Sequence, residues 1–137
     1  MLENIKLQKI KDTDFNRIKD IYASENWRAY LKDDEKLKRA FSNSYLFLGA
    51  YIEEKLVGFV RCVGDGEHII VVQDLIVDAK YQKNGIGTVL FQHVLDRFAS
   101  VRMFLVVTDL YDEVDNRFYQ KNGLVKIEDR DMIAYVR

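Results

Sequence analysis

Hydrophobic positions recur with two periods along this chain, and the switches between them lay out its elements. Ile5, Leu7 and Ile10 predict a short first strand. Asp12, Thr13 and Asp14 then offer N-cap side chains to a helix whose apolar positions are Phe15, Ile18, Ile21 and Tyr22, and Asp33 and Asp34 precede a second helix with Leu37, Ala40 and Phe41. Residues 45–52, 56–63 and 68–77 read as three strands joined by Glu53-Glu54-Lys55 and Gly64-Asp65-Gly66, an antiparallel meander. A helix carrying Ile86, Val89, Leu90, Val94, Leu95 and Phe98 follows, then a strand over 101–108, a short helix over 114–122, and a closing hairpin of 124–128 with 132–136. The order β-α-α-β-β-β-α-β-α-β-β predicts an α/β (α+β) fold, a mixed and mostly antiparallel sheet with helices on both faces. Residues 68–108 form the one clear right-handed crossover candidate.

Chemistry concentrates where the strand over 68–77 feeds that central helix through Gln82, Lys83, Asn84, Gly85, Ile86, Gly87 and Thr88. A helix N-terminus presents amides without intrahelical partners and carries about half a positive charge, and glycines let the backbone approach an anion, so this is a place to hold phosphate. A Walker A loop needs Lys-Ser/Thr after its last glycine, where this chain has Thr88-Val89. The dinucleotide fingerprint needs a third small residue, where Leu90 stands.

Composition narrows the classes. At 137 residues with 48% hydrophobic and 31% charged side chains, the chain reads as a single domain spanning 1–137. A formal net charge of −1 supplies no field to draw in nucleic acid, so any anion site is local. The lone Cys62 lies in an apolar strand and excludes an internal disulfide, while His68 and His93 lack companions at metal-ligand spacing; no metal is expected. No apolar run approaches the roughly 20 residues that cross a bilayer, so a cytoplasmic protein without membrane partners is expected.

Two blocks carry a resemblance to a known family. The segment Asp74-Leu75-Ile76-Val77 followed by Tyr81-Gln82-Lys83-Asn84-Gly85-Ile86-Gly87 resembles the acetyl-coenzyme A signature of the GNAT superfamily of N-acyltransferases, Q/R-x-x-G-x-G/A after a strand. Arg117-Phe118-Tyr119-Gln120-Lys121-Asn122-Gly123-Leu124 is similar to that family's F-Y-x-x-x-G-F element, in the matching order and at a fitting distance.

The resemblance implies a pair of parallel strands that splay apart to admit a thioester arm. It implies a diphosphate on the backbone amides of Gln82, Lys83, Asn84, Gly85, Ile86, Gly87 and Thr88, and a pantetheine arm along Leu75, Ile76 and Val77. The amide of Leu75 or its neighbour is then aimed at the thioester carbonyl, and Tyr119 protonates the departing thiolate. Asp112 stands where many members place an asparagine that bonds the coenzyme arm; a carboxylate can accept the same N–H but cannot donate. Strand alternation puts Val71, Gln73, Leu75 and Val77 on one face, and the positions where members carry a base are Gln73 and Val71, neither of which takes a proton. Asp74 is expected on the other face as a structural or substrate-orienting carboxylate, and deprotonation is expected through water, helped by an acid such as Asp109 or Glu25.

These readings predict an acetyl-CoA-dependent N-acetyltransferase acting on a primary amine by direct attack in a ternary complex. Trp27 and Tyr30, aromatics in the segment between the first two helices, read either as a wall around the acceptor or as core packing, and they favour a small-molecule amine over a protein lysine. The alternative is a non-catalytic acetyl-CoA-binding sensor or interaction module, encouraged by the missing strand base and by Asp112. Family analogy allows a homodimer through the C-terminal strands.

Overall fold

Alternating side chains pair into one five-stranded sheet in chain order. Its strands are β1 (Lys6–Lys9), β2 (Leu46–Ile52), β3 (Lys55–Gly64), β4 (Ile69–Val77) and β5 (Met103–Val106), with β1 to β4 antiparallel and β4 parallel to β5. Helices α1 (Phe15–Ser24) and α2 (Asp34–Ser42) lie between β1 and β2, and α3 (Ile86–Arg97) connects the parallel pair. The computed structural model describes residues 4–137. The chain forms two compact units, Met1–Val106 and Val107–Arg137, the second holding α4 (Glu113–Lys121).

The first unit is a sheet covered on both faces, as the periodicity predicts. Ile18, Ile21 and Tyr22 of α1 and Leu37 of α2 pack on Tyr51, Leu56, Phe59 and Ile76 of the sheet. Residues Ile86, Leu90, Phe91 and Val94 of α3 are buried too, each apolar side chain of this kind contributing about 1.5–3 kcal/mol on leaving water. Two positions differ from the expected face of α3. Val89 is exposed, whereas Phe91 is fully buried with its ring edge-on to Phe104 at 6.0 Å.

Strand pairing overturns the expectation that Val71 shares a face with Leu75 and Val77. Arg61 pairs with Asp74 but Cys62 pairs with Val72, so Gln73 is an extra residue in β4 with no partner on β3. Residues paired across a ladder share a face, and a bulge advances the phase by one residue. Beyond Gln73, Asp74 and Ile76 therefore face α1, with Ile76 in the Tyr22 cluster. Before it, Ile70 and Val72 share the face of Cys62, opposite Arg61. A second bulge, at Val57, leaves the Val57 carbonyl free to accept the Asp78 amide at 2.9 Å.

Two further expectations are corrected. Residues 12–14 form a 3-10 turn instead of capping α1 with a side chain, and the Asp14 carboxylate accepts the Tyr51 hydroxyl at 2.7 Å. Asp33 does cap α2, accepting the Lys36 amide at 3.1 Å. In the second unit the closing hairpin is absent from the described residues. The charged run Ile127–Arg130 winds into a 3-10 turn that ends at Asp131 in the left-handed region, φ 61°, and this curls the chain where the hairpin needed extended backbone. Ile133, Tyr135 and Val136 stay exposed, outside any ladder.

Candidate functional site

The bend from β4 into α3 is built by short-range chemistry. Asp78 ends the strand, its carboxylate accepting the Lys80 amide at 2.9 Å, and residues 79–81 make a 3-10 turn. Asn84 donates its side-chain amide to the Tyr81 and Gln82 carbonyls, tightening the loop. Gly85 then takes φ 84°, a left-handed conformation that a Cβ makes costly, and α3 begins at Ile86. The first α3 amide with a partner is that of Val89, bonded to the Gly85 carbonyl at 3.1 Å. Among the described residues, the main-chain amides of residues 82–88 donate to nothing within the chain.

That row of free amides fits a diphosphate. It lies at the positive end of a 12-residue helix, and a Cβ built on Gly85 meets no atom within 4 Å, so open space lies beside the turn. Lys83 stands in the same loop, exposed, with φ 65°. The side chain of Gln82 is committed elsewhere: its Nε2 donates to the Val77 carbonyl at 3.0 Å and to Glu25 Oε1. Ser24 accepts the Ala79 amide at 3.2 Å and Arg17, in the first turn of α1, pairs with Asp78, so α1 and the residue after it fasten the loop at three points and leave the loop backbone to a ligand.

The strand before this loop has an open edge. The β4/β5 ladder ends at the pair Val72 and Val106, and, among the described residues, 73–77 continue with β3 alone as strand neighbour. Leu75, Ile76 and Val77 lie on that stretch, with Leu75 and Val77 half-buried and Ile76 buried. Backbone groups on such an edge need partners, which is what an extended ligand arm would supply.

Asp74 proves to be the centre of a buried network. It is 1% exposed; its Oδ2 accepts Arg61 Nε at 2.7 Å and the Tyr22 hydroxyl at 2.9 Å, and its Oδ1 accepts the Tyr30 hydroxyl at 2.8 Å. Arg61 also donates to Ser44 Oγ at 3.2 Å. Burial, followed by the adjacent Asp74 carboxylate, pushes the Tyr22 phenol far above its usual value. Burial likewise raises Tyr30, against a smaller opposing effect of the Gln73 hydrogen bond. With every polar partner fixed inside the fold, Asp74 is held by structure. Sequence reasoning passed over Arg61; the available signal was a charge inside the apolar run 56–63, since an arginine there needs a buried anion.

Trp27 and Tyr30 take the packing alternative. Both are half-buried and stack with the Tyr22 ring, at centroid distances of 6.1 and 4.6 Å. Gln73 is exposed at the bulge and donates Nε2 to the Tyr30 oxygen at 3.3 Å.

In the second unit Asp112 is the N-cap of α4, accepting the Asp115 amide at 3.0 Å. Tyr119 is half-buried on α4. Burial, then the Asp115 and Asp112 carboxylates, raise its phenol well above the usual value, so it keeps its proton at neutral pH. Asp109 accepts the Tyr111 amide at 2.8 Å. No group of three or more metal-ligating side chains occurs among the described residues, and no helix of theirs is long and apolar enough to cross a membrane.

Comparison with known proteins agrees with this geometry. The acetyltransferase (GNAT) family model matches residues 9–124. A GNAT-family acetyltransferase from Streptococcus pneumoniae is 29% identical, with a TM-score of 0.81 over 98% of this chain and 96% of that one. The PaiA N-acetyltransferase of Thermoplasma acidophilum, solved in complex with coenzyme A, shares the fold at 21% identity and TM-score 0.67, over 88% of this chain and 89% of its own. An uncharacterized ycf52-like N-acetyltransferase of Prochlorococcus marinus is 26% identical over 119 residues, 84% of this chain but 64% of its own length. Since the family model spans most of the sequence and the sheet, the bend and the open strand edge are all in place, the chain is a member of the acetyltransferase (GNAT) family of enzymes.

Proposed function

We propose that this protein transfers an acetyl group from acetyl-CoA to a primary amine by direct attack. The observation that carries the proposal is the row of unpartnered amides over residues 82–88 at the start of α3, adjoining the open edge of β4. In this reading the amides of Gln82, Lys83, Asn84, Gly85, Ile86, Gly87 and Thr88 bind the diphosphate, and the backbone of Leu75, Ile76 and Val77 bonds the extended arm. Acetyl-CoA supplies an activated thioester carbonyl. The Leu75 amide donates to the carbonyl oxygen as charge builds there, an effect worth about 2.7–4 kcal/mol in other enzymes.

Tyr119, carried over from the family element, serves the leaving thiolate. Its raised phenol makes it a weak acid: against a thiol of pKa about 8.5, even an ordinary phenol at about 10 gives up its proton uphill by roughly 2 kcal/mol. Tyr119 therefore acts first as a hydrogen-bond donor and completes the transfer as product leaves. No strand carboxylate is free to serve as base. An alkylammonium of pKa about 10.4 costs roughly 4.6 kcal/mol to deprotonate at pH 7, while alignment of two bound reactants contributes about 7–11, so positioning with loss of the proton to water suffices. Asp112 caps α4 through Oδ1, and in this reading its other carboxylate oxygen accepts an N–H of the coenzyme arm.

A small-molecule acceptor is part of this reading; Trp27 and Tyr30, though packed against Tyr22, are only half-buried and so can still border it. Incubating the protein with acetyl-CoA and a panel of amines, amino acids and lysine peptides, with products read by mass spectrometry, tests the proposal. Acetylated product from a compact amine is expected. Tight coenzyme binding with no product from any acceptor would refute catalysis and leave a sensor.

A further inference from the structure

The loop that offers amides to an anion begins with a charge of the wrong sign. Asp78 is buried just past β4, shortly before Gln82 opens the row of free amides, and its Oδ1 accepts the Lys80 amide inside the loop. A carboxylate removed from water is poorly screened, so left alone it repels a diphosphate on the amides that follow. Arg17 supplies the opposite charge. From the first turn of α1 its Nη2 donates to Asp78 Oδ2 at 2.5 Å, and its Nε donates to the Leu56 carbonyl at 2.8 Å. The Asp78 amide donates to the Val57 carbonyl, at the β3 bulge, at 2.9 Å. One guanidinium thus ties α1, the bulge of β3 and the start of the loop together, through a fork that an ammonium does not reproduce. Among the described residues no second cation forms an ion pair with Asp78; Lys55 stands over the Tyr81 ring, 5.5 Å from its centre.

We infer that Arg17 is a positioning residue for the coenzyme: it cancels the Asp78 charge beside the diphosphate site and fixes the point from which the amide row is aimed. This rests on the acyl-transfer reading for the identity of the anion. Arg17 acts through Asp78 and the Leu56 carbonyl, and all of these residues belong to the first unit. A salt bridge kept for stability alone would leave anion affinity unchanged in any variant that still folds, so the two roles separate in a binding assay. The separation is clean because Asp78→Asn keeps a side-chain oxygen to accept the Lys80 amide while dropping the charge.

The test titrates the full chain with coenzyme A and, separately, with inorganic pyrophosphate, by calorimetry. Arg17→Met keeps an apolar stem and leaves Asp78 charged and unpaired; it is expected to bind both probes about tenfold more weakly or worse. Adding Asp78→Asn to that variant is expected to bring both affinities back to within about threefold of the parent, since the repelling charge is gone. Arg17→Lys keeps the charge but not the fork, so its urea midpoint should fall while coenzyme A affinity stays within about threefold of the parent. Tyr51→Phe, which loses the hydroxyl bonded to Asp14 just ahead of α1, is the control: its urea midpoint should fall with both affinities unchanged. Should Arg17→Met fail to fold, Asp78→Asn alone decides, because it leaves the Arg17 charge unopposed and is expected to bind pyrophosphate about threefold more tightly or better. Wherever an acetylated amine is identified, Arg17→Met should raise the KM for acetyl-CoA by the same factor as its loss of affinity and leave kcat within about threefold. Parent-like binding by folded Arg17→Met, no relief from Asp78→Asn in that background, or Asp78→Asn binding pyrophosphate no more tightly than the parent would overturn the proposal. A parent that binds neither probe would overturn it together with the acyl-transfer reading. The expected binding pattern without acetylated product from any amine would sustain it and remove only catalysis.

Discussion

The sharpest measurement separates a conformational cost from a ligand cost at the two glycines of the bend. Gly85 sits at φ 84°, where an L side chain costs about 1–2 kcal/mol, and no atom lies within 4 Å of the site its Cβ would take, so no clash adds to that figure. Gly85→Ala should then lose about 1–2 kcal/mol of stability, a fall in Tm of roughly 3–10 °C for a chain of this size. Gly87 lies within α3, and a Cβ there makes an ordinary 3.8 Å contact with Val77 Cγ2. Alanine is the better helix former by up to about 1 kcal/mol, so Gly87→Ala should hold or gain stability.

Coenzyme binding should separate the same pair more widely. A methyl at residue 85 stands in the open space beside the amide row, or forces the loop to rotate until those amides lose their aim. Losing one hydrogen bond to a charged group, about 1.5–3 kcal/mol, weakens acetyl-CoA by roughly 10- to 150-fold. Gly87→Ala should bind within about threefold of the parent, because the family motif admits alanine at that position. Circular-dichroism melts give the stability and titration calorimetry the affinity. A Gly85→Ala protein that is folded, destabilised by the expected amount and still binds coenzyme like the parent would refute the assignment of the phosphate site.

Three further outcomes follow from individual side chains. Tyr119→Phe should lower kcat by about 100-fold or more in a steady-state assay while calorimetry finds acetyl-CoA affinity unchanged, since only the donor to the leaving group is lost. Asp74→Asn should cost about 3–5 kcal/mol in urea unfolding, because Arg61, only 5% exposed, keeps its charge and loses its counter-ion. Burial opposes ionisation of Asp78, but the Lys80 amide and Arg17 together hold its carboxyl below the usual range. Its stabilising contribution is therefore complete above the unfolded value of about 3.9 and is lost as pH falls through the lower folded value. Asp78→Asn should flatten the acid limb of a plot of urea midpoint against pH, and an unchanged limb would count against this account.

Local pattern accounted for most of the first unit. The antiparallel meander, the helices at residues 15 and 34, and the glycine turn into α3 each depend on spacings of two to four residues, which the sequence states directly. The functional loop was readable for the same reason: Asn84, Gly85 and the start of α3 form through contacts no more than a few residues apart. The expected hairpin over 124–136 misled because alternation permits extended backbone without requiring it, and the run 127–131 turned instead.

What tertiary structure decided was set by pairing across the sheet. No local pattern marks Gln73 as the residue without a β3 partner; that follows from Cys62 meeting Val72 while Arg61 meets Asp74, and it reverses which face of β4 each earlier residue occupies. The Arg61, Asp74, Tyr22 and Tyr30 network likewise joins residues 13 to 52 positions apart. Periodicity reports which side chains leave water, but partners for a buried charge are chosen by register, and register is a property of two strands together.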